Sequence, residues 1–267
     1  MTESLTRTAS VAELRAAARD ASAPVRTVRA ERRLHAADVD RTVVVIGAQP
    51  GVGASTVALA LADSWAVRCT EPLVRLVDLA ELHESGLLGA ADELGREADG
   101  WLLSHRGHLR LERPSGEHLE RAVREVPGSR VVVDISTPVE HATLNEGPLR
   151  SLLGASSVVV ACRATVPGMR HVERVLTALP GTPYVVASGV RRWPGAAVAA
   201  AGPLTRAAHA DGRCHCLPAD RRLAVEGLDD RPLPRSVLSA AAGLLDAIAP
   251  NEPAHSERPK KGFLSWR

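Results

Sequence analysis

The stretch Val43-Val44-Val45-Ile46-Gly47-Ala48-Gln49-Pro50-Gly51-Val52-Gly53-Ala54-Ser55-Thr56 decides the fold. An apolar, β-branched run enters a glycine-rich turn, and the turn opens into the helix start Ser55-Thr56-Val57-Ala58-Leu59-Ala60. Strand, turn and helix in that order build a cradle for phosphate. Backbone N–H groups wrap the oxygens, and the helix N-terminus directs partial positive charge at them. Gly51 and Gly53 suit such a turn, because a Cβ would clash there and some positions need positive φ. The full pattern of a phosphate loop is G-x-x-x-x-G-K-[ST]. Here Ala48 stands at the first glycine and Ala54 at the lysine, while Ser55 keeps the hydroxyl that would hold Mg²⁺. Phosphate contacts would therefore fall to Gly51, Val52, Gly53, Ala54, Ser55 and Thr56. No nearby lysine replaces the lost one, since the chain's two lysines are Lys260 and Lys261.

Outward from the loop, strand-like and helix-like segments alternate. β-rich runs are expected at 42–46, 73–77, 109–111, 130–133, 157–161, 184–187 and 213–217, and helices at 55–67, 116–125, 167–179, roughly 196–210, and 235–248. Several of the runs are continuously apolar, as parallel strands buried on both faces are. Repeated βα units predict an α/β fold with a doubly wound, mostly parallel sheet of about seven strands and right-handed crossovers. Asp78 closes one run and Asp134 another, at the strand ends where ligands bind in such sheets. Asp134 is placed as the acid that meets a metal ion or its waters. Taken singly, either aspartate could equally be a turn residue or a helix cap.

Residues 1–41 read as an arginine- and alanine-rich extension, with a helix capped by Ser10 and running to about residue 21. The arginine-rich stretch that follows is a solvated linker or a partner-binding arm. The folded domain spans 42–250. Residues 251–267 are a linker ending in a basic and hydrophobic tail that carries Lys260, Lys261, Phe263, Leu264 and Trp266.

The composition is 45% hydrophobic and 2% aromatic, so aliphatic side chains must fill the core. A net charge of +2 gives no field that would itself draw nucleic acid. The sequence has no apolar run long enough to span a membrane and no secretory h-region, which predicts a cytoplasmic protein. Four scattered cysteines do not form a disulfide framework. Cys214-His215-Cys216 invites a metal reading, but a strand there puts both thiols on one face as ordinary core residues. No structural metal is expected.

The segment Gln49 to Thr56, Q-P-G-V-G-A-S-T, resembles the K-G-G-V-G-K-T-T loop of the MinD/ParA class of deviant Walker ATPases, within the P-loop NTPases. Gln49 replaces the signature lysine and Ala54 the second one. Asp78-Leu79-Ala80 keeps the first acid of the family's Asp-x-Asp motif, and Asp134-Ile135-Ser136-Thr137-Pro138 is similar to its D-x-x-P-P segment. Leu217-Pro218-Ala219-Asp220 followed by 227–233 resembles the late segment near the base pocket, which assigns Pro218 and Asp220 to the base region. The likeness covers about 42–249. A loop ending G-V-G-A-S-T is particularly similar to the CpaE/TadZ branch, including its actinobacterial members.

The resemblance implies ATP and Mg²⁺ as ligands, with Mg²⁺ held through Ser55 and Asp134 and with Asp78 as a further metal or catalytic candidate. It implies a homodimer and protein partners in a pilus, secretion or conjugation machine. The tail resembles the K-K-G-F-L segment of MinD's membrane-targeting helix, which implies weak contact with a membrane surface. A loop lysine near the phosphates is worth about 4 kcal/mol at roughly 4 Å in an effective dielectric of about 20. The helix end replaces about 2 kcal/mol of that at best. Binding thus survives better than turnover, for which losing one preorganised donor costs roughly 10²–10³ in rate. The leading expectation is a pseudo-ATPase scaffold with at most slow hydrolysis. The alternatives are an active partition or positioning ATPase using non-standard basic residues (Arg163, Arg191 and Arg192 follow strand ends) and a DNA-binding partition component.

Overall fold

A computed structural model describes residues 42–68, 74–80, 85–96, 101–114, 130–135 and 148–249. The extension 1–41, the helix expected at 116–125, residues 136–138 and the tail from 250 onward lie outside the described residues. Nine strands are described: β1 (Thr42–Gly47), β2 (Val74–Asp78), β3 (Asp92–Arg96), β4 (Trp101–Arg106), β5 (Leu109–Pro114), β6 (Arg130–Ile135), β7 (Ser157–Arg163), β8 (Tyr184–Ser188) and β9 (Cys214–Leu217). They form one sheet in the order β3-β4-β5-β2-β6-β1-β7-β8-β9. The described helices are α1 (Ala54–Arg68), α2 (Pro148–Ala155), α3 (Val166–Ala178), α4 (Gly195–Ala199), α5 (Pro203–Ala210), α6 (Arg221–Glu226) and α7 (Arg235–Ile248).

The valine runs behave as doubly buried parallel strands. Val43 and Val45 of β1 enter one core while Val44 and Ile46 enter the other. β7 splits in the same way, Val159 and Ala161 to the first core and Val158, Val160 and Cys162 to the second. With both faces covered, period-2 alternation in polarity disappears from the sequence. The first core holds α1, which is buried nearly all round from Val57 to Ala66, as a helix lying between a sheet and another helix must be. α7 is that other helix. Ser64 Oγ donates to Leu238 O at 3.2 Å, and Arg68 bonds Asp246 Oδ1 at 2.5 Å and Ala242 O at 2.9 Å. On the second face α3 buries Met169, Val172, Val175 and Leu176 at helical spacing, and Thr165 caps it by accepting from Gly168 N at 3.1 Å.

Two expectations need correction. Among the described residues the sheet has nine strands rather than about seven, because β3 and β4 add an antiparallel ribbon at one edge. β4 and β5 are joined through Gly107-His108, with Gly107 at φ +58, and β3 carries an irregularity between Glu93 and Gly95. Such short, half-polar strands lack the valine signature of the central ones. The single helix expected near 196–210 is two, α4 and α5. Pro203 opens α5, and the carboxylate of Glu173 on α3 accepts from Leu204 N, Thr205 N and Thr205 Oγ1 at 2.8–3.1 Å. Glu173 lies so close to Gly202 that a Cβ there would come within 2.3 Å of its Cδ. Burial raises the pKa of Glu173, but these bonds outweigh it and hold the carboxyl below its ordinary value.

Cys214 and Cys216 do share a face, and both pack with Cys162 against the second core. Burial pushes the Cys162 thiol up to about 12 and Cys214 up to about 11. His215 points the other way, its ring 6.1 Å from that of Tyr184. No helix among the described residues is long and apolar enough to cross a membrane.

Candidate functional site

The carboxyl ends of β1, β2, β6, β7 and β8 converge on the glycine-rich loop. Ala48 N donates to Ala161 O at 2.8 Å, which ties the loop's base to β7, and Val57 N donates to Gly53 O at 3.0 Å, which starts α1. Gly51 and Gly53 have φ +70 and +84, the left-handed backbone that the sequence requires of them. The expected clash is not found: a Cβ would meet nothing within 4 Å at Gly51 and nothing closer than Ser188 Oγ at 3.5 Å, an ordinary contact, at Gly53. Backbone conformation alone demands these glycines. The turn is tightly wound. A Cβ on Gly47 would meet Gln49 O at 3.2 Å, Val52 Cγ2 at 3.3 Å and the Ala54 Cβ at 3.6 Å. Ser188, at the end of β8, donates from its hydroxyl to Val52 O and lies 3.2 Å from Cys162 O, which braces the loop from the side. Ala54 packs against the first core, and the Gln49 Oε1 is buried without a hydrogen-bond partner.

Asp134 and Asp78 are directly paired neighbours in the β6–β2 register. They are held in opposite ways. Asp78 accepts from Ala80 N at 2.9 Å, Ser85 Oγ at 2.5 Å and the Arg113 guanidinium at 2.5 and 3.0 Å. Its charge is thus matched inside the protein. Asp134 is fully buried, and neither of its oxygens has a partner in hydrogen-bond geometry. Burial pushes its carboxyl up to about 7; the Ser55 hydroxyl is near enough to oppose this, although the bond is not formed geometrically, and the charge of Asp78 adds to the rise. An orphaned buried carboxylate beside a hydroxyl fits a Mg²⁺ ion held by Ser55 and Asp134. Asp78, engaged by Arg113, is less free to join them.

Residues 85–90 cover this end of the site. Gly86 lies so close to Ser55 that a Cβ would be 3.1 Å from the serine Cβ and 3.2 Å from its Oγ. Ser85 anchors the segment to Asp78 and also accepts from Arg113 at 2.9 Å. Farther along, Arg106 bonds Asp63 on α1, Ala90 O at 2.8 Å, Asp229 O at 2.6 Å and Arg231 O at 2.5 Å. One side chain thereby joins the cover segment to the 227–233 loop. Arg113, Ser85, Gly86 and Arg106 all escape sequence reasoning; each matters through a neighbour distant in the chain.

Of the two residues expected near a base, Pro218 follows β9, and the Asp220 carboxylate caps α6, accepting from Leu223 N at 3.1 Å. Of the three arginines noted at strand ends, Arg191 and Arg192 are exposed in the turn after β8. Arg163 reaches the loop: its Nη2 donates to Gly51 O at 3.0 Å. Among the described residues no cluster of three or more metal-ligating side chains occurs.

No family model and no curated protein matches the chain. Solved structures do. The chain is similar to the MinC:MinD cell division protein complex of Aquifex aeolicus, with a TM-score of 0.53 and 14% identity over 80% of this chain and 97% of that one. Lower TM-scores, 0.49 and 0.46, relate it to a plasmid partition protein from Borrelia burgdorferi B31 bound to AMPPNP and to a ParA family ATPase from Chlorobium tepidum TLS. These have 13% and 14% identity and cover 78% and 80% of this chain and 97% and 94% of theirs. The fold is therefore the mostly parallel α/β P-loop NTPase fold of the MinD/ParA type.

Proposed function

We propose that the protein is a nucleotide-binding scaffold on a MinD/ParA-type fold, with ATP hydrolysis absent or very slow. The observation that carries this is a glycine cradle kept in its left-handed geometry at Gly51 and Gly53, with Ala54 where the lysine would stand. Gly51, Val52, Gly53, Ala54, Ser55 and Thr56 would wrap the phosphates, Ser55 and the orphaned Asp134 would hold Mg²⁺, and the segment bearing Pro218 and Asp220 would lie by the base. When bound, Mg²⁺ would neutralise phosphate charge and stabilise the ionised form of Asp134. Asp78 has a structural duty with Arg113, which leaves one acid for the metal.

Purified protein should show no appreciable ATP turnover with Mg²⁺, while calorimetry should show weak ATP binding that Ala54→Lys tightens. A robust steady-state rate that Asp134→Ala abolishes would overturn the scaffold reading. It would favour the second one, an ATPase using a non-standard basic residue, for which the Arg163–Gly51 contact is the supporting observation. In the cell we assign the scaffold, as a homodimer, to positioning or regulating a membrane-associated pilus, secretion or conjugation apparatus from the cytoplasmic side. Weak surface contact through Lys260, Lys261, Phe263, Leu264 and Trp266 would assist it. A fluorescent fusion should concentrate at that apparatus; a distribution unchanged when the apparatus genes are deleted would refute the assignment.

A further inference from the structure

We propose that Arg163 is the cation that meets the nucleotide's phosphates in place of the missing loop lysine. The proposal rests on the nucleotide-binding reading above and adds the residue on which the affinity for phosphate depends. Arg163 ends β7, whose partners are β1, which runs into the loop, and β8; its register neighbour on β8 is Ser188, the residue that braces Val52. Its backbone is fixed. Thr165 N donates to Arg163 O at 2.8 Å, and Gly168 packs so close that a Cβ there would fall 2.2 Å from the same oxygen. From this anchor the exposed side chain reaches Gly51 O, at a point where nothing lies within 4 Å of the position a Gly51 Cβ would take. The guanidinium therefore stands over the crest of the cradle, next to open space.

Its charge is also free to be used. Arg68, Arg75, Arg106, Arg113 and Arg222 each form an ion pair with a carboxylate, whereas Arg163 has a carbonyl as its partner and no acid among the described residues. Exchanging that carbonyl for phosphate oxygens breaks no ion pair and replaces a neutral acceptor with charged ones. A guanidinium offers five donors in a fork that matches phosphate, and one suffices for the present bond. The cation thus enters from the end of β7 rather than from the first turn of α1, where the lysine of an ordinary phosphate loop sits. Because it stands at the crest, its effect should grow with the number of phosphates.

The test is calorimetric titration of the full chain with ATP, ADP and AMP, with and without Mg²⁺, for the wild type, Arg163→Gln, Arg163→Lys and Arg163→Gln/Ala54→Lys. Arg163→Gln should weaken ATP by about tenfold or more, as expected for losing charged hydrogen bonds. ADP should be affected less and AMP hardly at all. Arg163→Lys should retain part of the affinity, and adding Ala54→Lys should restore ATP binding by returning a cation to the loop. An unchanged melting temperature in Arg163→Gln would show that the loss is not one of folding. If the wild type binds ATP and Arg163→Gln binds it equally well, or if AMP weakens as much as ATP, the role given to Arg163 is wrong while nucleotide binding stands. If the wild type binds no nucleotide, both fail together.

Discussion

Replacing Asp134 with asparagine should stabilise the metal-free protein above neutral pH and change it much less in mild acid. The carboxyl is fully buried, unpartnered, and raised from 3.8 to about 7. Because the folded-state pKa is raised, the folded chain keeps a proton that the unfolded chain has already released between those two values. Unfolding then releases protons, and stability falls as pH rises from about 4 through about 7. Three pK units at about 1.4 kcal/mol each make a penalty of about 4 kcal/mol once Asp134 is ionised, of which roughly 3 kcal/mol accrues between about pH 5 and pH 8.5. For a domain of this size that is a shift of roughly 6–12 °C in melting temperature. Thermal unfolding of both proteins in a chelator across this range reads the difference directly. The raised Asp63 and the lowered Glu173 and His215 contribute equally to both proteins and cancel. Mg²⁺ should relieve the penalty in the wild type and leave Asp134→Asn unmoved. Parallel curves for the two proteins, or a less stable variant at high pH, would refute the picture of a buried acid awaiting a cation.

The buried charges and the close contacts give three further outcomes. Arg113→Met should cost about 3–5 kcal/mol in urea unfolding, since it strands the Asp78 carboxylate, and should speed hydrogen exchange in residues 85–90. Arg75→Met should cost somewhat less in the same assay, because Glu112, 1% exposed like Arg75, keeps Arg110 Nε 2.9 Å from its Oε1. Gly168→Ala should lose about 1–3 kcal/mol through overpacking against Arg163 O; an unchanged melting temperature would contradict the 2.2 Å approach.

Much of the fold is legible because its signals are local. β1, β6 and β7 announce themselves as valine runs, and α7 begins and ends where its apolar spacing does, at Arg235 and Ile248. Even the break between α4 and α5 is carried by Gly202-Pro203, a pair that forbids one continuous helix. The β3–β4 ribbon is not legible, since strands at an edge are specified by pairing with β5 rather than by their own composition.

The loop shows the same division. Its missing lysine, its glycines and the strand-end aspartates are properties of the sequence alone, each fixed by residues within a few positions of one another. What became of the charges was decided by tertiary structure. Arg113 neutralises Asp78 from 35 positions away, and Arg163 reaches Gly51 across 112. Asp134 is left unpartnered beside Ser55 only because the sheet places β6 between β2 and β1 and buries its end. Electrostatic partnership depends on distance in space and on exclusion of water, and neither is written in the order of residues.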